Sequence, residues 1–507
     1  MRKIWIVLCG LLILTLSACD AFRNYDEELL SLEDIILNQI PEKINADFSL
    51  DLPNEYQVSF RFQSLEYKDM FKYAPPFYDV SSTLDVTIKR GTSQKTFSKQ
   101  VILLSLDSGY HETKIYLTLP HAKESIQRDV YTQVEVTVET QKNGVMTIEH
   151  HTQEAQLRGR GNSTWYVYEK KPYRLRFDKN TSILGMPAAK NYVLLAEYAD
   201  KSLIRNAVTQ KMASLFDTLD PLEVRPVELY INFEYVGVYL LTEHIENHPN
   251  KLALDTKAGV LDTNYLFELD MRFYEQNIEE GLDWFIVDRH PYQIKDPDPD
   301  DPLFKEGHAD YLREKLYALE SALMAKEGYE HLLDVDVAVD FFLIHEIAKN
   351  VDVGWSSVFM IKKEGGPFTY GPLWDFDFAY GNADYIDYGI ENWYGMRAWK
   401  NRMFILMMQV PEIREKFKER FTYFETHVLP EIEMVINAYS RSMADMGNRN
   451  VERWPILNTY VWPNPFEVME RKTHKLQVDY VLLYLIGRTL WMKEELKTER
   501  YHMGMFE

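Results

Sequence analysis

The chain has 507 residues, of which 46% are hydrophobic and 26% are charged, so it has enough apolar material to bury sizeable cores. Its 22 glycines and 21 prolines are too few for a collagen-like or disordered chain. The formal net charge of −22 disfavours general nucleic-acid binding, because contacts with phosphates dominate the affinity of such complexes. These quantities indicate a folded, acidic protein of roughly two to four domains.

Residues 1–18 have the pattern of an export signal. The basic pair Arg2-Lys3 precedes an apolar run over residues 4–16, and small residues follow that run. The tetrad Leu16-Ser17-Ala18-Cys19 matches a bacterial lipobox, so Cys19 is expected to become the lipidated N-terminus of the mature chain. A plain signal peptide or an uncleaved anchor is the alternative. We therefore expect an exported protein that is tethered to the membrane by lipid.

The two cysteines give no disulfide in this interpretation. Cys9 lies in the segment to be removed, and Cys19 would carry the lipid. Residues 19–45 are charged with scattered leucines, and we expect them to form a linker or a short helical spacer.

Residues 46–150 contain short segments in which apolar and polar residues alternate. Alternation with β-branched and aromatic residues is typical of half-buried strands, and the number of segments favours an Ig-like β-sandwich. The segments are residues 56–62, 83–88, 114–119 and 133–139. No catalytic group of residues is evident here, so we expect a spacer or adhesion module. A chain that starts near Gln153 would then fold without it.

The rest of the chain mixes helix and strand patterns, which predicts an α+β domain over residues 151–470 and a helical extension over residues 471–507. Apolar residues at helical spacing predict helices over residues 202–216 and 337–350, and mostly helix beyond Trp393. The predicted strands are residues 173–177, 192–195, 227–232 and 235–242, and the last two are expected to form a hairpin with its turn at Asn232–Tyr235. A second hairpin is predicted from residues 356–362 and 368–373.

A basic cluster lies at the start of this domain. Two glycines, a hydroxyl pair and backbone N–H groups in residues 157–165 could hold an anionic ligand. A tight turn with solvated arginines is the alternative. The charged members of the cluster are Arg158, Arg160, Lys170, Lys171, Arg174 and Arg176.

An acidic cluster follows the predicted helix over residues 337–350. Asp375 and Asp377 lie two residues apart where a strand ends, and hard oxygen ligands there suit Mg²⁺ or Mn²⁺ bound to nucleotide phosphates. Asp352 could accept a proton from an attacking hydroxyl. Protein kinases have a metal-ligating Asn five positions after that base, and Ser357 stands there in this chain. A helix-end cap and a buried polar turn are the alternatives.

Two further sequence patterns resemble metal-binding motifs but do not predict a metal site. The acidic, proline-rich residues 296–302 lack the spacing of a calcium loop, so we expect a solvated loop. The pair His345-Glu346 matches the first two residues of the His-Glu-x-x-His helix motif of zinc proteases, but Lys349 stands where the second histidine is required.

Eight short motifs, taken together and in this order, resemble those of the spore coat protein H (CotH) kinase family over about residues 150–400, extending to about residue 470. No one of them is decisive alone. They are Arg158-Gly-Arg-Gly-Asn-Ser-Thr-Trp165, Lys170-Lys-Pro-Tyr173, Leu184-Gly-Met-Pro187, Asp200-Lys-Ser-Leu-Ile-Arg-Asn206, Val227-Glu-Leu-Tyr-Ile-Asn232, Gly237-Val-Tyr-Leu-Leu-Thr-Glu243, Asn350-Val-Asp352 and Gly371-Pro-Leu-Trp-Asp-Phe-Asp377.

The resemblance implies an atypical protein-kinase-like fold that binds ATP and Mg²⁺ or Mn²⁺ and phosphorylates Ser or Thr of secreted, surface or spore-coat proteins. Asp352 would be the catalytic Asp, Asp375 the main metal ligand and Asp377 a second one. Trp374 would flank the adenine.

The resemblance also implies roles for basic residues and their partners. Arg160 and Lys171 would face the phosphates, although the sequence does not decide between Lys170 and Lys171. Arg205 and Glu243 would be orienting partners. The alternative function is a non-catalytic surface module of the same fold that binds glycan or a partner protein.

Overall fold

The computed structural model describes residues 24–62, 65–73, 76, 79–105, 112–142, 145–397 and 400–498. The predicted signal and lipidation site, with Cys9 and Cys19, lie outside these residues. The chain forms two compact units. Of the described residues, those within 1–112, 140–147 and 437–444 form unit 1, and those within 113–139, 148–436 and 445–507 form unit 2.

Unit 1 is built on one five-stranded sheet with the order β1-β5-β4-β2-β3. Two short helices, α1 (Asp26–Ser31) and α2 (Glu33–Gln39), pack against β5 through the buried Leu29 and Ile36. Strands β4 and β5 form a long hairpin at Gly91, whose φ of +57° suits glycine. The strands are β1 (Lys43–Ile44), β2 (Gln57–Phe62), β3 (Leu65–Lys68), β4 (Val80–Arg90) and β5 (Ser93–Leu103).

The first β-domain differs from the predicted Ig-like sandwich over residues 46–150. The segments at 114–119 and 133–139 lie in strands β6 and β7, which belong to a barrel in unit 2. Alternation identifies a strand with one buried face, but it carries no information on which neighbour the strand pairs with. A chain that starts near Gln153 would therefore lack β6, β7 and part of β8, which corrects the expected boundary.

Seven strands of unit 2 form a closed barrel in the order β10-β12-β11-β6-β7-β8-β9. β6 runs parallel to β11, with Ile115 paired to Leu229, while β11 and β12 form the predicted antiparallel hairpin. The strands are β6 (Glu112–Thr118), β7 (Thr132–Lys142), β8 (Val145–Gly159), β9 (Tyr173–Thr181), β10 (Ala189–Leu195), β11 (Val224–Ile231) and β12 (Glu234–Glu243).

A second sheet of unit 2 has the order β14-β15-β13-β16-β17 and is antiparallel throughout. It contains the predicted hairpin, whose two strands are shorter than expected. The strands are β13 (Tyr265–Leu269), β14 (Trp284–Val287), β15 (His290–Asp296), β16 (Val358–Lys362) and β17 (Phe368–Tyr370).

Helix α7 (Val335–Ala348) is buried on almost every side and leads into the candidate site. Asp334 begins the helix by accepting a hydrogen bond from the backbone N–H of Val337, and Lys349 ends it with a φ of +45°. These two ends place the helix two residues earlier than predicted. The helices before it are α3 (Ser163–Tyr166), α4 (Arg205–Ala213), α5 (Arg272–Glu275) and α6 (His308–Ala325).

The chain beyond Trp393 is mostly helical, as predicted, and the α+β class is confirmed. Its helices are α8 (Arg402–Met407), α9 (Pro411–Tyr423), α10 (Leu429–Ser442), α11 (Ala444–Arg453) and α12 (His474–Thr498). Helix α12 is fixed to α7 by a fully buried ion pair, in which Arg488 Nη2 lies 2.9 Å from Glu346 Oε1. Among the described residues, no helix combines the length and apolar character needed to cross a bilayer.

Candidate active site

A cavity of about 840 Å³ in unit 2 is lined by residues from the barrel, the second sheet and the segments that follow α7 and β17. Asp352, Asp375 and Asp377 all line it, as do Arg160 and Trp374. The tertiary structure thus brings together five of the predicted site residues, which are up to 217 positions apart in the sequence.

Asp375 is held in an unusual backbone conformation five residues after the end of β17. Its φ is +57°, a region that Asp tolerates better than most residues. The Ser357 hydroxyl donates a hydrogen bond of 2.9 Å to Asp375 Oδ2, and Ser357 itself has a φ of +61°. Ser357 and Asp375 thus contact each other, and both occupy a sparsely populated region of backbone φ and ψ angles. Residues in such conformations cluster at functional sites, where surrounding contacts enforce the conformation. Ser357, the departure from the protein-kinase pattern, therefore orients the candidate metal ligand.

The residue between the two acids anchors this turn in the core. Phe376 is fully buried, and its ring centroid lies 4.9 Å from that of His345 on α7. Its backbone N–H donates a 2.8 Å hydrogen bond to Asn206 Oδ1 on α4. Because Phe376 is fixed on both sides, the carboxylates of Asp375 and Asp377 have defined positions at the cavity wall.

Asp352 lies in a 3₁₀ turn (Val351–Gly354) that follows α7. The side chain of Asn350 caps this turn by accepting a hydrogen bond of 3.0 Å from the Asp352 backbone N–H. A helix-end cap is the alternative role for Asp352, but Asn350 is the residue that caps this turn. Asp352 itself lines the cavity.

The three carboxylates affect one another's protonation. Burial raises the pKa of Asp352 well above its usual range, and Asp375 and Asp377 raise it further. Burial and the charge of Asp375 raise the pKa of Asp377 to about 7. Like charges held this close favour the arrival of a cation, which would relieve their repulsion.

Arg160 and Trp374 form a mixed cationic and aromatic wall beside the acids. The Arg160 guanidinium carbon lies 5.3 Å from the centroid of the Trp374 ring. Burial lowers the pKa of Arg160, whereas the carboxylates of Asp375 and Asp377 oppose this effect. The wall can present a flat apolar face and a fixed positive charge to the same ligand.

Neither candidate lysine lines the cavity. Lys171 donates hydrogen bonds to the backbone carbonyls of Trp165 (2.6 Å) and Tyr168. Lys170 is buried, donates to Asn450 Oδ1 at 3.0 Å, and has its pKa lowered by burial to about 7. The structure therefore does not bring Lys171 together with the other predicted site residues in the cavity. Its role here is to hold the loop that carries the two glycines.

Arg205 and Glu243 also lie outside the cavity lining. Arg205 is fully buried, forms an ion pair with Asp200, and donates a 3.1 Å hydrogen bond to the carbonyl of Ala379, two residues after Asp377. It is therefore an orienting residue for the backbone that follows the acids. Glu243 accepts a 2.7 Å hydrogen bond from the backbone N–H of Glu223 and has no contact with the acidic group.

Sequence reasoning missed a second charged group in the cavity, formed by β13 and β15. Lys295 Nζ lies 2.9 Å from Glu268 Oε2, and the other oxygen of Glu268 accepts a 3.1 Å hydrogen bond from the backbone N–H of Ser357. Arg272 makes a bidentate pair with Asp270 at 2.6 and 2.7 Å. A Glu inside the apolar strand Tyr265–Leu269 was a signal that could have revealed this group.

Glu197 is a further missed residue. It lines the cavity, is only 6% exposed and has a φ of +49°. Its Oε1 accepts a 2.9 Å hydrogen bond from Asn206, and within the described part of the chain its Oε2 has no hydrogen-bond partner. Through Asn206, Glu197 supports the Phe376 backbone between the two candidate metal ligands.

Asp375 and Asp377 carry hard oxygen donors of the kind that Mg²⁺ takes from proteins. Among the described residues, no group of three or more His, Cys, Asp or Glu side chains is arranged to hold a metal ion. Mg²⁺ is usually bound by one or two carboxylates and completes its octahedral shell with water and phosphate oxygens. Asp375 and Asp377 supply that number of hard oxygen donors at the cavity wall.

Comparison with known proteins gives one clear result. Residues 157–491, well over half of the chain, match the family model described as CotH kinase protein. The match spans all the acidic residues of the cavity and Arg160. The comparison with curated proteins gives no match. The family assignment indicates a kinase-like function and, with it, the use of ATP.

Proposed function

The chain belongs to the CotH kinase family, and from this premise we propose that it is a metal-dependent protein kinase with an atypical kinase-like fold. The reaction is transfer of the γ-phosphoryl group of ATP to a Ser or Thr hydroxyl of a secreted or surface protein. The observation that carries the proposal is the convergence of three carboxylates with the Arg160–Trp374 wall in one cavity. Phosphoryl transfer needs this combination of fixed cations, metal ligands and a base.

Each residue has a defined task in this reaction. Trp374 offers its ring face to the adenine, and Arg160 directs its charge toward the phosphates. Asp375 and Asp377 hold Mg²⁺ or Mn²⁺, which would neutralise charge that develops on the transferred group. Asp352 accepts the proton of the attacking hydroxyl as its oxygen bonds to the γ-phosphorus and ADP leaves. The Lys295–Glu268 ion pair lines the same cavity and presents one positive and one negative group to it.

A binding module without catalysis is the second candidate, favoured by exposed aromatic rings among the cavity-lining residues. Trp355, Tyr385 and Trp462 line the cavity and are each at least 44% exposed. The rings of Tyr385 and Trp462 are nearly parallel, with centroids 6.1 Å apart. Such faces can stack on sugar rings or on side chains of a partner protein.

A thermal melting series tests the kinase proposal directly. Because a ligand that binds only the native state raises its stability, ATP at about 100 times its Kd should add about 2.7 kcal/mol to the free energy of unfolding. We expect this shift with ATP and Mg²⁺ together and a clearly smaller one with ATP in excess EDTA. A shift with cell-wall oligosaccharide, and none with ATP and Mg²⁺, would favour the binding module instead.

We also propose that the protein is exported and anchored by lipid at Cys19, on the evidence of the tetrad Leu16-Ser17-Ala18-Cys19. Cys19→Ala should release the protein into the medium or leave it unprocessed, as fractionation and mass measurement would reveal. A variant that stays in the membrane fraction at its mature mass would refute the anchor.

A further inference from the structure

Three arginines on the outer face of the barrel form a cluster that the proposed reaction does not use. Arg158 on β8 lies directly opposite Arg174 on β9, and Arg176 lies two residues further along β9. We call these three residues the arginine triad. The alternate residues Leu157 and Leu175 are fully buried, so the triad belongs to the opposite face of both strands.

The triad is held together around one aromatic ring. The guanidinium carbons of Arg158 and Arg176 lie 5.0 and 5.7 Å from the centroid of the Tyr131 ring. Arg174 Nε donates a 3.2 Å hydrogen bond to Asn191 Oδ1. The guanidinium groups of Arg158 and Arg176 thus lie beside the same ring, and planar guanidinium groups are suited to bidentate recognition of an anion.

Nearby acids compensate this charge only in part. Glu246 Oε2 lies 3.8 Å from Arg174, and Asp129 Oδ1 lies 4.0 Å from Arg158 but also pairs with Arg128 at 2.8 Å. The Glu246 carboxylate also interacts electrostatically with Arg176, and within the described residues the buried Nε of Arg158 has no hydrogen-bond partner. In a chain with a net charge of −22, placing like charges opposite each other on neighbouring strands costs stability and needs a reason.

The triad borders the candidate active site, because one of its three members lines the cavity that also contains Arg160. Arg174 lines the cavity, whereas Arg158 and Arg176 do not. Arg158 is two residues before Arg160, so the triad begins about 7 Å along the strand direction from it. Arg160 lies against Trp374 and interacts electrostatically with Asp375 and Asp377, so we assign Arg160 to the nucleotide and the triad to a second anionic group.

We propose that the arginine triad is a subsite for a phosphomonoester on the acceptor polypeptide, namely a residue that has already been phosphorylated. This inference rests on the proposed kinase function, and it makes segments with several neighbouring hydroxyl residues the preferred acceptors. Each transfer would create the group that the triad holds while the next hydroxyl reaches Asp352. The charge and the paired forks suit a dianionic phosphate far better than a single carboxylate.

The test measures binding without turnover. A fluorescent glycine–serine heptapeptide and the same peptide with one phosphoserine are titrated with the full chain by fluorescence anisotropy. We expect the phosphopeptide to bind at least about tenfold more tightly, because charge-assisted bidentate contacts are the strong ones. Arg158→Gln/Arg176→Gln should remove about tenfold or more of that affinity, while ATP–Mg²⁺ affinity, measured by calorimetry, stays within about twofold.

Controls separate charge, folding and nucleotide effects. Arg313→Gln/Arg414→Gln removes the same charge from helices α6 and α9 and should leave phosphopeptide affinity unchanged. Arg176→Gln alone, at an exposed position, keeps the test valid if the double variant melts early.

Three results would be decisive. Equal affinity for the two peptides, or an equal loss of phosphopeptide and ATP–Mg²⁺ affinity in the double variant, would overturn the subsite. Triad-dependent binding of the phosphopeptide to a wild-type chain that does not bind ATP–Mg²⁺ would support the subsite and overturn the proposed kinase function.

Discussion

Asp375→Asn is expected to abolish phosphoryl transfer and to remove the Mg²⁺-dependent part of ATP binding. The amide of Asn lacks the charge and one of the two oxygens that a divalent cation prefers. Loss of even an indirect support for a ligand lowers metal affinity by about 10–100-fold, so loss of the ligand itself should do at least as much. Calorimetric titration of ATP with and without Mg²⁺ measures the effect.

The fold should tolerate this change. Asn adopts a positive φ about as readily as Asp, and its remaining oxygen can accept the hydrogen bond from the Ser357 hydroxyl. Asp298→Asn is the matched control, because Asp298 also lines the cavity but lies in the exposed loop after β15. Wild-type Mg²⁺ dependence in a folded Asp375→Asn protein would show that the metal is held elsewhere.

Asp352→Asn is expected to lower turnover by about 10²–10⁴-fold, the usual contribution of a general base, with ATP–Mg²⁺ affinity within a few-fold of the wild type. The side chain lies in the same cavity as the metal ligands but on a different element, so its loss acts on the chemical step. Initial rates of transfer from radiolabelled ATP, together with the binding titration, separate the two effects.

The stability of this variant provides a second readout. Burial and the carboxylates of Asp375 and Asp377 disfavour the charged form of Asp352, so a neutral isostere should leave the melting temperature unchanged or raise it. Retention of wild-type autophosphorylation by Asp352→Asn would assign the base to another residue. An equal loss of nucleotide affinity in both Asp variants would instead place Asp352 among the metal ligands.

The acidic centre could be predicted from the sequence because its residues lie in short motifs with local structure. Asp375 and Asp377 follow a short predicted strand, and Asp352 follows an apolar segment long enough to be a buried helix. Both of these signals are local, so they can be recognised before the tertiary structure is known. The family match over residues 157–491 confirms the resemblance on which the more detailed roles depend.

The positions of the basic side chains could not be predicted from the sequence in this way, because the direction of a side chain depends on the whole fold. Lys170 and Lys171 are adjacent in sequence, yet Lys170 is buried on Asn450 of helix α11 and Lys171 binds backbone carbonyls six and three residues before it. Net charge and spacing could not show that both point away from the cavity, or that Lys295 and Glu268 point into it.

By itself, the sequence determined the α+β class, the strands and helices near the site, the acidic centre and its family. These properties depend on local periodicity and on short motifs, both of which can be recognised without knowing the contacts between distant segments. Only the tertiary structure decided that strands β6 and β7 close a barrel with the candidate kinase domain, since pairing partners are chosen by contacts between distant segments. Only the tertiary structure, too, placed Arg160 on Trp374 and brought Arg158 and Arg176 beside Tyr131, because direction and distance between side chains arise when the strands pair.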